Sequence, residues 1–231
     1  MRAARALFAG LALLAAPAAA QPAVPDPAAA PESADLRAVR ARDVFPYWRD
    51  YAALDPSERD AFALRYRVIG TDGEPGGVDL WTRGEDGGLE RLAEDAEGYV
   101  TPPAPEVLEA DGHLWTGAPP GSAEVTMMIV PAIAPSEAMD AAALVSALAQ
   151  ASNAVRRRAG VMALFTPDFR TVVMRFDGPA PDGWAVMADG SRRPLVAEQD
   201  TLRFTPRHRR HRGAVRIELE ARPRTMALMP G

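Results

Sequence analysis

Leu64-Arg65-Tyr66-Arg67-Val68-Ile69-Gly70 has a pattern that indicates the fold class of this chain. Its apolar side chains alternate with two arginines, and this period of two predicts a β-strand with one buried face and one solvated face. Glycine-rich turns follow it, which indicates short antiparallel strands. Further strands are predicted at residues 78–82, 89–93, 98–101, 112–116 and 124–130. The sequence therefore predicts a first β module at residues 62–131.

A second stretch, Val172-Val173-Met174-Arg175-Phe176-Asp177-Gly178, aligns with the first and predicts a second β module at residues 169–231. Two further pairs align downstream: Thr101-Pro102 with Thr205-Pro206, and Thr126-Met127 with Thr225-Met226. The offset between the two series changes within predicted loops, as insertions and deletions between two copies of one ancestral module would leave it. Chance similarity between two β segments rich in alanine and arginine is the alternative.

A helix is predicted at residues 140–159, within a linker at residues 132–168. Asp140 is placed to cap its first turn, and three arginines lie at the negative end of the helix dipole. Four apolar residues fall on one face: Leu144, Leu148, Ala151 and Val155. We expect this helix to bridge the two modules.

The predicted fold class is mainly β with helices (α+β): two duplicated small antiparallel β-sandwich-like modules, the bridging helix and an N-terminal helical segment at residues 35–61. In that segment Asp55-Pro56-Ser57-Glu58 has the cap, proline and glutamate of a helix start. Phe45, Trp48 and Tyr51 recur at spacings of three, which favours a buried helix face over a sugar-binding platform. Modules of about 60 to 70 residues have marginal cores, so we expect the two to pack together.

The N-terminus has the pattern of an export signal. Arg2 and Arg5 precede an apolar stretch at residues 6–16, and Ala18-Ala19-Ala20 supplies the small residues of a cleavage site. The sequence predicts a signal peptide at residues 1–20, cleaved after Ala20, and a periplasmic or secreted protein. Residues 21–34, rich in proline and alanine, are predicted to form a disordered linker.

The composition excludes several kinds of chemistry. Cysteine is absent, and all 26 basic residues counted as lysine or arginine are arginines. Disulfides, thiolate metal sites, cysteine nucleophiles and lysine Schiff bases are therefore excluded. We expect no metal and no cofactor. Four methionines close the last strands of the modules and are predicted to serve as apolar residues of those strands rather than to bind copper: Met127, Met128, Met226 and Met229.

The candidate binding site is the run Arg207-His208-Arg209-Arg210-His211-Arg212. Guanidinium groups match phosphate oxygens in pairs, so this run is an anion-binding candidate, whereas its positive charge disfavours a metal cation. A solvated loop between two strands of the second module is the favoured interpretation, and anion binding is the alternative. His113, with Ser122 downstream, suggests a hydrolase, but no Gly-x-Ser-x-Gly elbow is present, and a strand start is favoured. No catalytic residue is predicted.

The chain has an N-terminal helical segment, then the strand Phe62-Ala63-Leu64-Arg65-Tyr66, and closing strands that end at Pro131 and Pro230. In this arrangement it resembles uncharacterised exported proteins of proteobacteria with duplicated β modules. That resemblance implies export and no particular activity. The prediction is a non-enzymatic binding or scaffolding protein of the cell envelope, whose partner is an envelope protein or an anionic envelope polymer and not nucleic acid in vivo. The alternatives are an envelope hydrolase with a cleft between the modules, and an anionic-polymer or lipid-phosphate binder acting through residues 207–212.

Overall fold

A computed structural model of the chain describes residues 36–70, 78–84, 87–95, 97–109, 112–159 and 168–230. The predicted signal peptide at residues 1–20 and the predicted linker at residues 21–34 lie outside the described residues. The described chain is mostly β, with several antiparallel sheets and few helices. No helix within these ranges is long and apolar enough to cross a membrane.

The elements of residues 36–131, here called the first half, are mainly short strands. The strands are β1 (Arg37–Arg40), β2 (Phe62–Gly70), β3 (Trp81–Arg83), β4 (Leu89–Arg91), β5 (Tyr99–Val100), β6 (His113–Thr116) and β7 (Ala123–Pro131). The helices are α1 (Ala41–Val44), α2 (Trp48–Ala52) and α3 (Pro105–Glu109), with a 3-10 turn at Pro56–Glu58. Each strand predicted between residues 62 and 131 thus overlaps a strand of the structure, although the one predicted at residues 78–82 begins only at Trp81.

The elements of residues 137–230, here called the second half, are one long helix and eight described strands. The helix is α4 (Ala141–Ala159). The strands are β8 (Ala138–Asp140), β9 (Phe169–Arg175), β10 (Gly183–Met187), β11 (Arg192–Pro194), β12 (Val196–Glu198), β13 (Thr201–Phe204), β14 (Ala214–Leu219) and β15 (Thr225–Pro230).

The strands of the two halves pair in the same order. The first half has sheets β1-β6-β3-β4 and β5-β2-β7, and the second has β8-β14-β10-β11 and β15-β9-β13-β12. Each pairing in the first half has a counterpart in the second, so that β1–β6 matches β8–β14 and β2–β7 matches β9–β15. β12 corresponds to an isolated bridge between Glu94 and Val100 in the first half.

The register of the central strands also matches. Tyr66 of β2 lies opposite Met127 of β7, and Met174 of β9 lies opposite Met226 of β15. The sequence alignment pairs these same residues, Tyr66 with Met174 and Met127 with Met226. All but Met127 are at least 96% buried, and Met127 packs on the same core.

The prediction for α4 is confirmed. The Asp140 carboxylate accepts a hydrogen bond of 2.8 Å from the Ala142 amide, which caps the helix. Leu144, Leu148 and Ala151 of the predicted apolar face are buried, and Val155 is half-buried. The helix packs against β2 and β7 of the first half and against β8, β9 and β14 of the second. The buried residues of both halves consequently form one core cluster.

The N-terminal segment differs in part from its helical prediction. Arg37–Arg40 form β1, which pairs with β6, because a partner strand more than 70 residues away supplies the hydrogen bonds of an extended chain. The predicted helix start at Asp55 is a 3-10 turn, in which the Asp55 carboxylate accepts from the Ser57 amide. Phe45 is buried and Trp48 packs on the core, as the predicted apolar face requires.

Candidate functional site

A groove of about 930 Å³ lies where the outer faces of the two halves meet. The outer face is the side of the β2 and β9 sheets that lies opposite the core. Along β2, Tyr66 and Val68 are buried, so Arg67 between them lies on the outer face. The same alternation along β9 puts Val173 and Arg175 outward. β7 and β15 are the edge strands of these sheets and lie against each other, which joins the two outer faces.

Matching register positions of the two halves line this groove. Arg67 lies opposite Tyr99 of β5, and Arg175 lies opposite Thr201 of β13. Met128 of β7 lies opposite Arg65, two residues before Arg67 in β2. Ala227 of β15 lies opposite Val173, two residues before Arg175 in β9. Six groove residues thus form three equivalent pairs: Arg67 with Arg175, Tyr99 with Thr201, and Met128 with Ala227. This register places Thr101 level with Arg203, so the predicted alignment of Thr101 with Thr205 is displaced by two residues.

Arg67 is held in the groove wall by the backbone and by an aromatic ring. One terminal nitrogen donates a hydrogen bond of 2.6 Å to the Glu97 carbonyl, and the guanidinium lies 4.5 Å from the centre of the Tyr99 ring. Its Nε is buried without a hydrogen-bond partner, which typically costs about 1–3 kcal/mol. Within the described ranges Arg67 has no carboxylate partner. Among the described residues, no carboxylate therefore balances its positive charge beside the groove.

The other arginines of the groove have partners. Arg175 lies 3.4 Å from Asp200, Arg203 lies 2.8 Å from Glu198, and Arg224 donates to Asp177 at 3.0 Å. These three ion pairs are exposed, so each contributes about 0–1 kcal/mol and can exchange partners. Four arginines and two carboxylates line the groove, which makes it positive in a chain whose formal net charge is −5.

The groove floor is apolar and adaptable. Met128, Val173, Ala227 and Met229 lie on it, and the Tyr99 hydroxyl donates to the Met128 sulfur at 3.2 Å. Met229 is 46% exposed. All four methionines lie in the closing strands, as predicted: Met226 is buried and Met127 packs on the core, whereas Met128 and Met229 lie on the outer face.

A second groove of about 390 Å³ continues from the first. The two share Tyr99, Arg224 and Thr225 in their walls, and the second adds Arg65 and Arg222. Arg65 stacks 3.9 Å above the Tyr99 ring and pairs with Asp95. Together the two grooves form one elongated surface, here called the outer groove.

The predicted anion-binding run Arg207-His208-Arg209-Arg210-His211-Arg212 forms the connection between β13 and β14. The four arginines and His208 are exposed. Arg207 lies 4.0 Å from Asp168, which also pairs with Arg156 of α4. A separate groove of about 530 Å³ lies between this connection and α4.

His211 faces the interior instead, and only 2% of it is exposed. Its Nδ1 accepts from the Thr205 amide at 3.4 Å, and its Nε2 lies 3.3 Å from the Pro194 carbonyl. Burial lowers the pKa of the imidazole, which favours the neutral ring. His211 therefore holds the loop against the core and is not available to a surface ligand.

No hydrogen bond between described residues joins His113 and Ser122, the two residues of the hydrolase alternative. His113 is the exposed first residue of β6, as its prediction as a strand start requires. The Ser122 hydroxyl donates to the Pro119 carbonyl within its own turn, at 2.8 Å. No group of three or more metal-ligating side chains is present among the described residues.

The sequence analysis did not identify the outer groove, although the positions of two of its arginines indicated it. Arg67 and Arg175 occupy the same position in the two aligned stretches, on the predicted solvated face.

Comparisons with protein-family models, with curated proteins and with solved structures find no match to this chain.

Proposed function

We propose that this chain is an exported, non-enzymatic binding protein of the cell envelope, and that it holds its ligand in the outer groove. One observation carries the proposal: equivalent positions of both halves, Arg67 with Arg175 and Met128 with Ala227, line the same groove. A surface built jointly in this way presents charge and apolar area together, which is the composition of a recognition site.

We further propose that the halves are two copies of one small β-sandwich-like module. The matched strand orders and the shared Tyr66–Met127 and Met174–Met226 register support this proposal. The copies then begin at β1 and β8, upstream of the limits that the sequence predicted. On this view α4 is an enlarged counterpart of α1, since Ala41 and Ala141 each follow the first strand of a half.

Export is proposed from the N-terminal pattern, with Arg2 and Arg5 before an apolar stretch and Ala18-Ala19-Ala20 after it. A binding role is favoured over the hydrolase alternative by the contents of the outer groove. Its described lining consists of arginines, carboxylates, hydroxyls, the Gln199 amide and apolar side chains, with no histidine. Binding through residues 207–212 remains a second candidate, because four guanidinium groups of that loop are exposed.

Co-sedimentation of the mature chain, residues 21–231, with isolated bacterial cell envelopes tests the proposal. We expect binding at low salt that Arg67→Gln with Arg175→Gln weakens and that Arg209→Gln with Arg210→Gln leaves unchanged. Both double variants remove the same formal charge, so a general charge effect would weaken both equally. Salt at about 0.5 M should weaken binding because the charges are partly exposed. Loss through the loop variant alone would transfer the binding role to residues 207–212.

A further inference from the structure

We infer that the outer groove binds an extended acidic peptide segment of a partner protein, in which apolar and acidic side chains alternate. This inference rests on the proposed binding function and names its ligand class. The charge of the groove is the first argument. Four arginines against two carboxylates make it complementary to an anion, in a chain that is acidic overall.

The state of the four arginines indicates where a ligand carboxylate binds. Three of them have a carboxylate partner, whereas Arg67 has none among the described residues. Arg67 is held in position by the Glu97 carbonyl and the Tyr99 ring, so little side-chain ordering accompanies ligand binding. A ligand carboxylate beside Arg67 would form an ion pair there, equivalent to the pair that Arg175 already forms with Asp200 on the other wall.

The floor distinguishes a peptide from a small inorganic anion. Met128, Val173, Ala227 and Met229 offer an apolar strip between the charged walls. Unbranched methionine side chains adapt to apolar partners of varied shape, and methionine, tyrosine and arginine are enriched in protein interfaces. In an extended chain, alternate side chains lie on opposite faces, so that one series covers the floor while the other meets the arginines.

The continuity of the two grooves suits an extended chain. The two grooves run on from each other through Tyr99, Arg224 and Thr225. Arg65, Arg222 and Arg224 outnumber Glu97 in the lining of the smaller groove, and Arg65 pairs with Asp95, so positive charge continues past the Arg67 position mainly at Arg222. A compact ligand would use only one of the two grooves.

Fluorescence anisotropy with the folded mature chain tests this inference. The probe is a fluorescein-labelled peptide of about eight residues that alternates leucine and glutamate, long enough to span several side chains of the groove. The control peptide alternates leucine and glutamine. We expect the glutamate peptide to bind at least about tenfold more tightly, and Arg67→Gln to reduce its affinity by about tenfold, which corresponds to one charge-assisted contact.

Met229→Glu serves as a second variant, because Met229 is exposed and its replacement leaves the core intact. It places negative charge on the floor and should also weaken binding of the glutamate peptide. Val145→Glu, at an exposed residue of α4, is the matched control and should leave the affinity unchanged. Thermal unfolding of each variant verifies that it is folded.

Equal affinity for both peptides, or an unchanged affinity in Arg67→Gln and Met229→Glu, overturns the inference. So does tighter binding to phosphatidylglycerol vesicles than to the glutamate peptide, since that result assigns the groove to a lipid surface. If the peptide fails while envelope binding still depends on Arg67 and Arg175, the ligand class is wrong and the binding function stands. If envelope binding is independent of both arginines, the groove function itself is wrong.

Discussion

Leu144→Ala is the substitution that most directly probes how α4 stabilises the two halves. Leu144 is fully buried, and the helix that carries it packs against strands of both halves. The change removes three carbons from the core, which costs about 2.4 kcal/mol at about 0.8 kcal/mol for each buried methylene. The cavity left behind adds to this value, so the expected loss in the free energy of unfolding is about 2.5–4.5 kcal/mol.

Urea unfolding of the mature chain measures this loss, with tryptophan fluorescence and far-UV circular dichroism as independent probes. Trp48, Trp81 and Trp115 report on the first half and Trp184 on the second. Both probes should give one shared transition, because a single core cluster includes residues of both halves. In thermal unfolding the midpoint should fall by about 5–15 °C for a protein of this size.

Val145→Ala is the matched control, because Val145 is the next residue of α4 and is 43% exposed. It should change the free energy of unfolding by less than about 0.5 kcal/mol. Equal effects of the two substitutions would contradict the assignment of the buried helix face. Separate transitions of the two probes would instead show that α4 does not join the halves into one cooperative unit.

Three further substitutions probe the core and its titrating groups. Gly183→Ala should cost about 1–3 kcal/mol in urea unfolding, because the added carbon would lie 2.7 and 2.8 Å from two leucine methyl groups. Stability should fall as the pH drops below about 6.5, since burial lowers the pKa of His211 and the unfolded state then binds the extra proton. His211→Leu should flatten this dependence in urea titrations between about pH 7 and 5. Tyr66→Phe should cost about 1–2 kcal/mol, because the hydroxyl donates to the Pro46 carbonyl at 2.6 Å.

Each of these substitutions has its own control or contrary outcome. Gly178→Ala meets no atom within 4 Å, so a loss equal to that of Gly183→Ala would refute the steric argument. An unchanged pH dependence in His211→Leu would show that other groups dominate the acid branch. Burial raises the pKa of Tyr66, so its phenolate should appear only on alkaline unfolding, and ionisation in the folded protein would contradict its burial.

Local sequence patterns predicted the strands and the helix that are determined by the residues within them. The alternation around Tyr66 and Met174 predicted β2 and β9, and the Asp140 cap with its apolar face predicted α4. Alternation also placed Arg67 on an outer face. It could not indicate that this face would meet its counterpart, because the contact between β7 and β15 joins residues about 100 positions apart.

The features that the sequence did not predict depend on long-range contacts. Arg37–Arg40 form a strand because β6 pairs with them. The sequence of these four residues alone does not indicate which strand they pair with. His211 is buried although four arginines surround it in sequence, because Thr205 and Pro194 supply the hydrogen bonds of its ring. Met128 and Met127 are adjacent, and only the register of β7 decides which one faces the core.

The most direct test of the outer groove as the binding site is an NMR titration of methyl-labelled methionines with the leucine–glutamate peptide. Met128 and Met229 lie on the groove floor, whereas Met139 and Met226 are buried in the core. Met→Leu variants assign the four signals. We expect the peptide to shift the Met128 and Met229 signals and to leave those of Met139 and Met226 in place. Binding that leaves the Met128 and Met229 signals unchanged would contradict this expectation.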